Sequence, residues 1–75
     1  MVFETVRTLL AEQLGYEESA ISLRSSLTDD LQAEDADLEE VMLLLEEEFA
    51  LVRTEEDLKK FDTVADIVSF VENQI

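Results

Sequence analysis

The chain has 75 residues, of which 47% are hydrophobic and 33% charged. This length predicts one domain spanning residues 1–75, and the hydrophobic share is sufficient for a buried core, which excludes two domains or a disordered chain. Five Lys and Arg stand against twenty Asp and Glu, a net charge of -15. That charge excludes nucleic acid and anionic membranes as partners and favours basic protein surfaces or divalent cations.

The absence of Cys and His excludes several kinds of chemistry. Thiol nucleophiles, disulfides, the common zinc sites, and the Ser-His and Cys-His catalytic pairs all require one of these residues. Because the charged Glu4 lies among the first residues, the start of the chain does not have the apolar stretch of a signal sequence. No apolar stretch approaches the roughly twenty residues that span a membrane. We therefore expect a cytoplasmic protein that is not an enzyme.

Apolar residues recur at steps of three and four, which predicts three long helices and one short helix. These helices are expected at residues 2–14, about 36–49, about 54–61 (the short one) and about 64–75. Gly15 is placed to end the first helix, and Thr63 with Asp66 forms a capping-box pattern before the last. The predicted fold is an all-α four-helix bundle with a long loop at residues 16–34.

The inner faces of these helices predict the core. Its expected members are Phe3, Val6, Leu10, Leu14, Leu38, Val41, Met42, Leu45, Phe49, Phe61, Val64, Ile67, Val68 and Val71. Ile75 continues the inner face of the last helix, and Thr54 with Asp57 predicts a capping box for the short one. Because the loop is unusually long for a small domain, it needs apolar anchors. The expected anchors are Ile21, Leu23, Leu27 and Leu31.

The second helix has an acidic outer face. With Leu38 at 0° and about 100° per residue, Leu43 falls at about 140°, away from the core. Leu43 and its neighbours on this face form a candidate docking surface. The neighbours are Ala36, Glu39, Glu40, Glu46 and Glu47. A single exposed Leu needs no special explanation, but Leu43 could also fill an apolar pocket of a partner whose basic surface the acids attract.

Four segments of the chain match the pattern of a known family. They are AEQLG at 11–15, SSLTDDL at 25–31, LEEEF at 45–49 and TVADIV at 63–68. With them the chain resembles, over nearly its whole length, an acyl carrier protein, the small acidic four-helix domain that shuttles acyl chains in fatty acid and polyketide synthesis. The resemblance implies that fold, a monomer, and partners among the enzymes of those pathways.

The resemblance fails at the attachment site of the family's cofactor. Where the family reads Gly-Ala-Asp-Ser-Leu, this chain reads Gln32-Ala33-Glu34-Asp35-Ala36. By resemblance, Asp35 stands where the family's serine carries 4'-phosphopantetheine. Because aspartate has no hydroxyl to attack the pyrophosphate of coenzyme A, we expect no cofactor. The other serines lie in the loop or inside the last helix and lack the flanking motif.

Asp35 has two further interpretations. At or next to the N-cap of the second helix, its carboxylate can accept backbone N–H groups and meet the positive end of the helix dipole, worth about 0.5–2 kcal/mol. Alternatively its fixed charge partly imitates the family's phosphate. We prefer capping, because one carboxylate has less charge and reach than a phosphodiester. Ala36 and Glu39 also replace apolar residues of the family's docking surface, which favours natural divergence over a single engineered substitution.

The acids of the second helix also suggest an alternative, a calcium site. Asp35, Asp37, Glu39 and Glu46 match positions 1, 3, 5 and 12 of an EF-hand loop. We reject the match because Glu40 stands where the loop requires Gly and the helical period continues past it. The acids therefore predict weak, diffuse Ca²⁺ or Mg²⁺ binding and no dedicated metal site.

These observations lead to two hypotheses of function. The first is an acyl-carrier-like protein that is not modified and serves as a docking or regulatory module for basic-surfaced partners. The alternative is a working carrier of fatty acid biosynthesis whose serine has been replaced, or whose cargo attaches by another route. Catalysis by the acids is not expected, because those of the second helix lie on a convex surface and not in a closed pocket.

Overall fold

The computed structural model describes residues 2–52 and 55–75, and over these ranges the chain forms four α-helices and no strand. The helices are α1 Val2–Leu14, α2 Asp35–Phe49, α3 Glu55–Lys60 and α4 Val64–Glu72. A 3₁₀ turn, Glu18–Ala20, lies in the loop between α1 and α2. The predicted all-α four-helix bundle is confirmed. None of the described helices has the length and apolar character needed to cross a membrane.

The core lies where α1 packs against both α2 and α4. Its side chains without exposed surface are Val6, Leu10, Leu27, Val41, Met42, Leu45, Val64, Ile67 and Val71. All of them except Leu27, an expected loop anchor, belong to the predicted core. Since burying one such side chain stabilises a fold by about 1.5–3 kcal/mol, this cluster is the main source of stability.

Four predicted core residues lie at the edge of the core instead. Phe3, Leu14, Phe49 and Phe61 are half-buried and pack against the buried cluster from outside. They lie at or beside helix ends, where fewer neighbouring elements cover a side chain. Phe61 gains a partner there, since its ring meets that of Phe70 edge to face with the centroids 5.4 Å apart.

The first helix ends as its sequence predicts. Gly15 has φ +79°, in the left-handed region that suits glycine. Its N–H and that of Tyr16 both donate to the carbonyl of Ala11, at 2.9 and 3.1 Å. The paired bonds close the last turn of α1 and direct the chain into the loop.

The last helix is shorter than predicted. The capping box of Thr63 and Asp66 begins α4 as expected. The helix ends at Glu72, however, and Ile75 is 65% exposed, so its assignment to an inner face is wrong. The N–H of Gln74 donates to the carbonyl three residues earlier at 3.0 Å, which tightens the end of the helix and turns the following residues outward.

The loop between α1 and α2 is anchored largely as predicted. Ile21, Leu27 and Leu31 are buried. Leu23 is 43% exposed, so its prediction as an anchor is wrong. The backbone of Leu23 faces α4, because its carbonyl accepts a hydrogen bond from the N–H of Ala65 at 3.0 Å, and the side chain points to solvent.

The same loop is joined by backbone bonds to the start of α4. Ser26 and Thr63 form an isolated antiparallel bridge, and the N–H of Leu27 donates to the carbonyl of Asp62 at 2.8 Å. These contacts between distant parts of the chain hold the loop in one path. They therefore fix the segment that leads into α2.

The second helix ends without a glycine. Ala50 adopts the left-handed conformation, φ 55° and ψ 49°, and its N–H donates to the carbonyl of Glu46. The N–H of Leu51 donates to the same carbonyl at 3.2 Å, and the Leu51 side chain is buried. Thr54, which the sequence predicts to form a capping box with Asp57, lies outside the described residues.

Candidate functional site on the second helix

The path into α2 is set by a short segment with two buried side chains. Leu31 and Ala33 are buried, and Gln32 between them has φ 53°, in the left-handed region. The N–H of Ala33 donates to the carbonyl of Leu27 at 2.8 Å. A left-handed residue other than glycine costs about 1–2 kcal/mol, so the burial on either side of Gln32 holds it in place.

The cap of α2 differs from the prediction. Glu34 is the N-cap residue, and it forms a capping box with Asp37, whose Oδ2 accepts the N–H of Glu34 at 3.1 Å. Asp35 is the first helical residue, so its predicted position next to the N-cap is confirmed. The capping role predicted for its carboxylate is wrong, because the neighbouring acids provide the cap. Asp35 does remain at the positive end of the helix dipole.

A side-chain contact joins the start of α2 to the end of α1. The Nε2 of Gln13 donates to Oδ1 of Asp37 at 3.4 Å. Asp37 thus uses one carboxylate oxygen for the cap and the other for α1. Asp35 and Ala36 beside it are exposed.

The predicted docking residues lie together on the outer face of α2. Leu43 is 49% exposed, which agrees with its place opposite the core on the helical wheel. Ala36, Glu39, Glu40 and Glu47 are exposed and Glu46 is half-buried. The core side of the same helix carries the buried Leu38, Val41, Met42 and Leu45. The face is acidic, and Leu43 lies among its carboxylates.

A second exposed apolar residue on this helix was missed by the sequence analysis. Leu44 is 36% exposed and lies on the far side of Glu40 and Glu47 from Leu43. The helical wheel places it at about 240°, away from the core stripe, so the signal was present in the sequence.

A small cleft lies between the start of α2 and α3. It has a volume of about 230 Å³ and is lined by Asp35, Leu38 and Glu39 of α2 and by Leu58 and Lys59 of α3. The two carboxylates are four residues apart, and hence on one side of the helix. No spacing in the sequence links the start of α2 to α3, so the cleft was not predicted.

The acids of α2 are not arranged as a metal cage. Asp35–Phe49 is one continuous helix, so the residues that match EF-hand positions lie on a helix and not in a loop. Among residues 2–52 and 55–75, no three His, Cys, Asp or Glu side chains are grouped so that they could hold a metal ion. Weak cation binding by the acidic face stays a prediction.

Comparison with known proteins identifies the family. A family model described as "Phosphopantetheine attachment site" matches residues 4–71. The acyl carrier protein of Clostridium acetobutylicum is 39% identical over 71 residues, which cover 95% of this chain and 92% of that protein. The chain belongs to the acyl carrier protein family. The acyl carrier protein of Thermotoga maritima is 36% identical over 74 residues, which cover 99% of this chain and 91% of that protein.

A solved structure agrees with this family assignment. The solution structure of the apo doublet acyl carrier protein from prodigiosin biosynthesis matches with a TM-score of 0.82 and 26% identity. The match covers 97% of this chain and 35% of that one, so this chain spans about a third of the doublet's length. The predicted family resemblance is confirmed. Members of this family carry acyl groups and are carriers, not enzymes.

The start of α2 does not fit the family's cofactor. Phosphopantetheine is attached through the oxygen of a hydroxyl group. Glu34, Asp35 and Ala36 at the start of α2 carry no hydroxyl. In the preceding loop, the hydroxyl of Ser26 accepts the N–H of Asp29 at 3.1 Å, and Ser25 is buried. Neither of these serines lies at a helix start on the outer face.

Proposed function

We propose that this acyl carrier family member is not modified with 4'-phosphopantetheine and acts as a docking or regulatory module. The observation that carries the proposal is the exposed Asp35 at the first position of α2, where the family's pattern places its serine. An aspartate there cannot form the phosphodiester, because its carboxylate is not a hydroxyl nucleophile. Without the arm the protein holds no thiol for an acyl thioester.

The outer face of α2 supports the docking part of the proposal. Leu43 is half exposed and is surrounded by carboxylates of a chain whose net charge is -15. An apolar side chain within a field of one sign suits a partner that has an apolar pocket inside a basic surface. By family, such partners are enzymes of fatty acid or polyketide synthesis. The module binds them as a cytoplasmic monomer, through Ala36, Glu39, Glu40, Leu43, Glu46 and Glu47.

A second candidate function is that of a working acyl carrier. The match to a phosphopantetheine attachment model over residues 4–71 and the relatives at 39% and 36% identity favour it. In that case the native serine has been replaced at Asp35, or the cargo attaches by another route. The second function requires that the polypeptide gain covalent mass, either as it stands or once a serine is restored at position 35.

Intact mass spectrometry separates these functions. The purified chain is incubated with a phosphopantetheinyl transferase, coenzyme A and Mg²⁺, with the Clostridium acetobutylicum acyl carrier protein as a positive control. We expect the control to gain one phosphopantetheine unit and this chain to keep its mass. A gain of one unit by this chain would establish the second function and overturn the first. The Asp35→Ser variant shows in the same assay whether a hydroxyl at position 35 is sufficient for attachment of phosphopantetheine.

The docking surface is tested separately on purified enzymes of fatty acid synthesis. Leu43→Glu and Glu47→Lys should each weaken binding, because one removes the apolar contact and the other inverts a steering charge. Added salt should also weaken it. Glu12→Lys on α1, an exposed acid outside the docking surface, is the matched control for charge. If Leu43→Glu, Glu47→Lys and added salt all leave binding unchanged, the acidic face is only a solvated surface.

A further inference from the structure

Two strained residues flank α2. Gln32 has φ 53° and lies three positions before the helix, and Ala50 has φ 55° and is its C-cap residue. In the part of the chain that the structure describes, these are the only residues other than glycine in the left-handed region. A side chain makes this region unfavourable, because Cβ approaches the following carbonyl oxygen. The left-handed strain is therefore concentrated at the two ends of one helix, and we call Gln32 and Ala50 the joints of α2.

Burial beside each joint holds the strained backbone in place. Leu31 and Ala33 are buried on either side of Gln32, and Leu51 is buried directly after Ala50. A residue persists in an unfavourable conformation only where the surrounding structure fixes it. The joints therefore keep positive φ while these side chains are packed, and each relaxes to negative φ when the packing around α2 is lost.

The structure outside α2 is joined together without that helix. Three backbone hydrogen bonds of 2.8–3.0 Å connect residues 23–27 of the loop to residues 62–65 at the start of α4. The first helix also packs against α4 directly. By contrast, α2 is attached largely through side chains. Its buried stripe packs on α1, and Asp37 accepts a hydrogen bond from Gln13 at 3.4 Å.

We propose that α2 opens as one unit, separately from the rest of the bundle, and that relaxation of both joints favours this opening. In the open form Gln32 and Ala50 adopt negative φ, residues 35–49 leave α1, and the bonds between the loop and α4 stay in place. Burial of the apolar stripe opposes the opening, so the closed form dominates at equilibrium. Since α2 also carries the proposed docking surface, that surface exists only in the closed form. The opening goes beyond the proposed function and does not depend on it.

Native-state hydrogen exchange in low concentrations of urea tests the opening at single residues. The amides of Val41 and Leu45 lie inside α2, whereas those of Leu10 and Val71 lie inside α1 and α4. After correction for intrinsic rates, the α2 amides should exchange at least about tenfold faster, since a partial opening is more frequent than global unfolding. Their exchange should also depend less on urea, because a partial opening exposes less surface. If the α2 amides exchange no faster than the others, or with the same dependence on urea, α2 opens only with the whole bundle and the proposal is wrong.

Glycine at the joints tests the contribution of strain. Gln32→Gly and Ala50→Gly each remove Cβ from a left-handed residue. Each should slow exchange in α2 by about two- to fivefold, because the relief of strain exceeds the added flexibility of glycine. The joints lie at opposite ends of the helix, so the double variant should slow exchange by the product of the two factors. Gln32→Ala keeps the strain and should change exchange by less than about twofold.

Asn73→Gly is the matched control for glycine at a helix end. Asn73 is the C-cap residue of α4 and has φ -73°, so glycine there relieves no left-handed strain and adds only flexibility. This variant should not slow exchange in α2. If either joint variant leaves exchange in α2 unchanged, or if Asn73→Gly slows it as much as they do, relaxation of the joints does not favour the opening. The comparison of α2 with α1 and α4 in the unsubstituted chain decides the separate opening even if a variant fails to fold.

Discussion

Asp66 holds the start of α4 through the backbone of Thr63. Its Oδ2 accepts the N–H of Thr63 at 2.9 Å and also that of Asp62 at 2.8 Å. These bonds favour the ionised carboxylate and hold the pKa of Asp66 below its ordinary value, the Thr63 bond contributing most, while partial burial opposes the shift. The carboxylate thus satisfies two N–H groups at the start of the helix.

Asp66→Asn should destabilise the fold by about 1 kcal/mol at neutral pH, because it replaces a charged acceptor with a neutral one. A lowered folded-state pKa means that this contribution is complete above the unfolded pKa and is lost as pH falls through the folded value. Urea unfolding at about pH 7 and about pH 2 should therefore show a difference between the two proteins that shrinks in acid. A difference of equal size at both values would contradict the ionic origin. Glu72→Gln, an exposed acid of the same helix, is the control.

Substitution of two leucines of α2 tests which side of the helix belongs to the core and which to the docking surface. Leu45 has no exposed surface, whereas Leu43 is 49% exposed. Leu45→Ala should cost about 2–5 kcal/mol in the free energy of unfolding, since it leaves a cavity between the helices. Leu43→Ala should change it by about 0.5 kcal/mol or less. Denaturant unfolding of both variants measures this, and equal costs would mean that Leu43 is a core residue and not a docking residue.

The side chain of Gln74 pairs with the backbone of Val52. Its Nε2 donates to the Val52 carbonyl at 2.8 Å, and its Oε1 accepts the Val52 N–H at 3.0 Å. Gln74→Ala removes both bonds and should lower stability by about 1 kcal/mol. The Val52 amide should exchange its hydrogen with solvent faster in this variant. Ile75→Ala, which changes an exposed neighbour, should leave that amide unaltered, and if Gln74→Ala leaves it unaltered too, the pairing does not form in solution.

Gln32 carries a conformation that suits glycine, φ 53°. Gln32→Gly should raise stability by up to about 1 kcal/mol, because relief of about 1–2 kcal/mol of strain exceeds the added flexibility of glycine, which costs about 0.5–1 kcal/mol. Gln32→Ala retains the strain and should give no gain. Thermal unfolding of the three proteins measures the order, and a stabilising Ala variant would show that the Gln side chain, and not the backbone, is unfavourable.

The helices were predictable because their signal is local. The stripe of Leu38, Val41, Met42 and Leu45 repeats at helical spacing, and burial follows from it. The same spacing places Leu43 on the side of α2 away from the core. The residues that cap a helix were harder to predict. Glu34 and Asp37 lie within one turn of Asp35, and the sequence does not say which of these acids forms the cap.

Contacts between distant segments of the chain have no comparable pattern in the sequence. Leu23 and Ile21 are two apolar residues of the same loop, yet only Ile21 is buried, because the loop turns the backbone of Leu23 toward α4. The cleft requires Leu58 and Lys59 to approach the start of α2, which depends on the path of the intervening chain. Such placements follow from tertiary packing and not from residue spacing.

The ties between the loop and the start of α4 constrain the order in which the protein acquires its structure. A chain emerging from the ribosome can wind α1 early, since helical bonds are local. The bridge from Ser26 to Thr63 and the bond from Leu27 to Asp62 cannot form until residues 62–63 have also emerged. The entrance to α2, encoded well upstream, therefore reaches its final shape only after synthesis has passed that point.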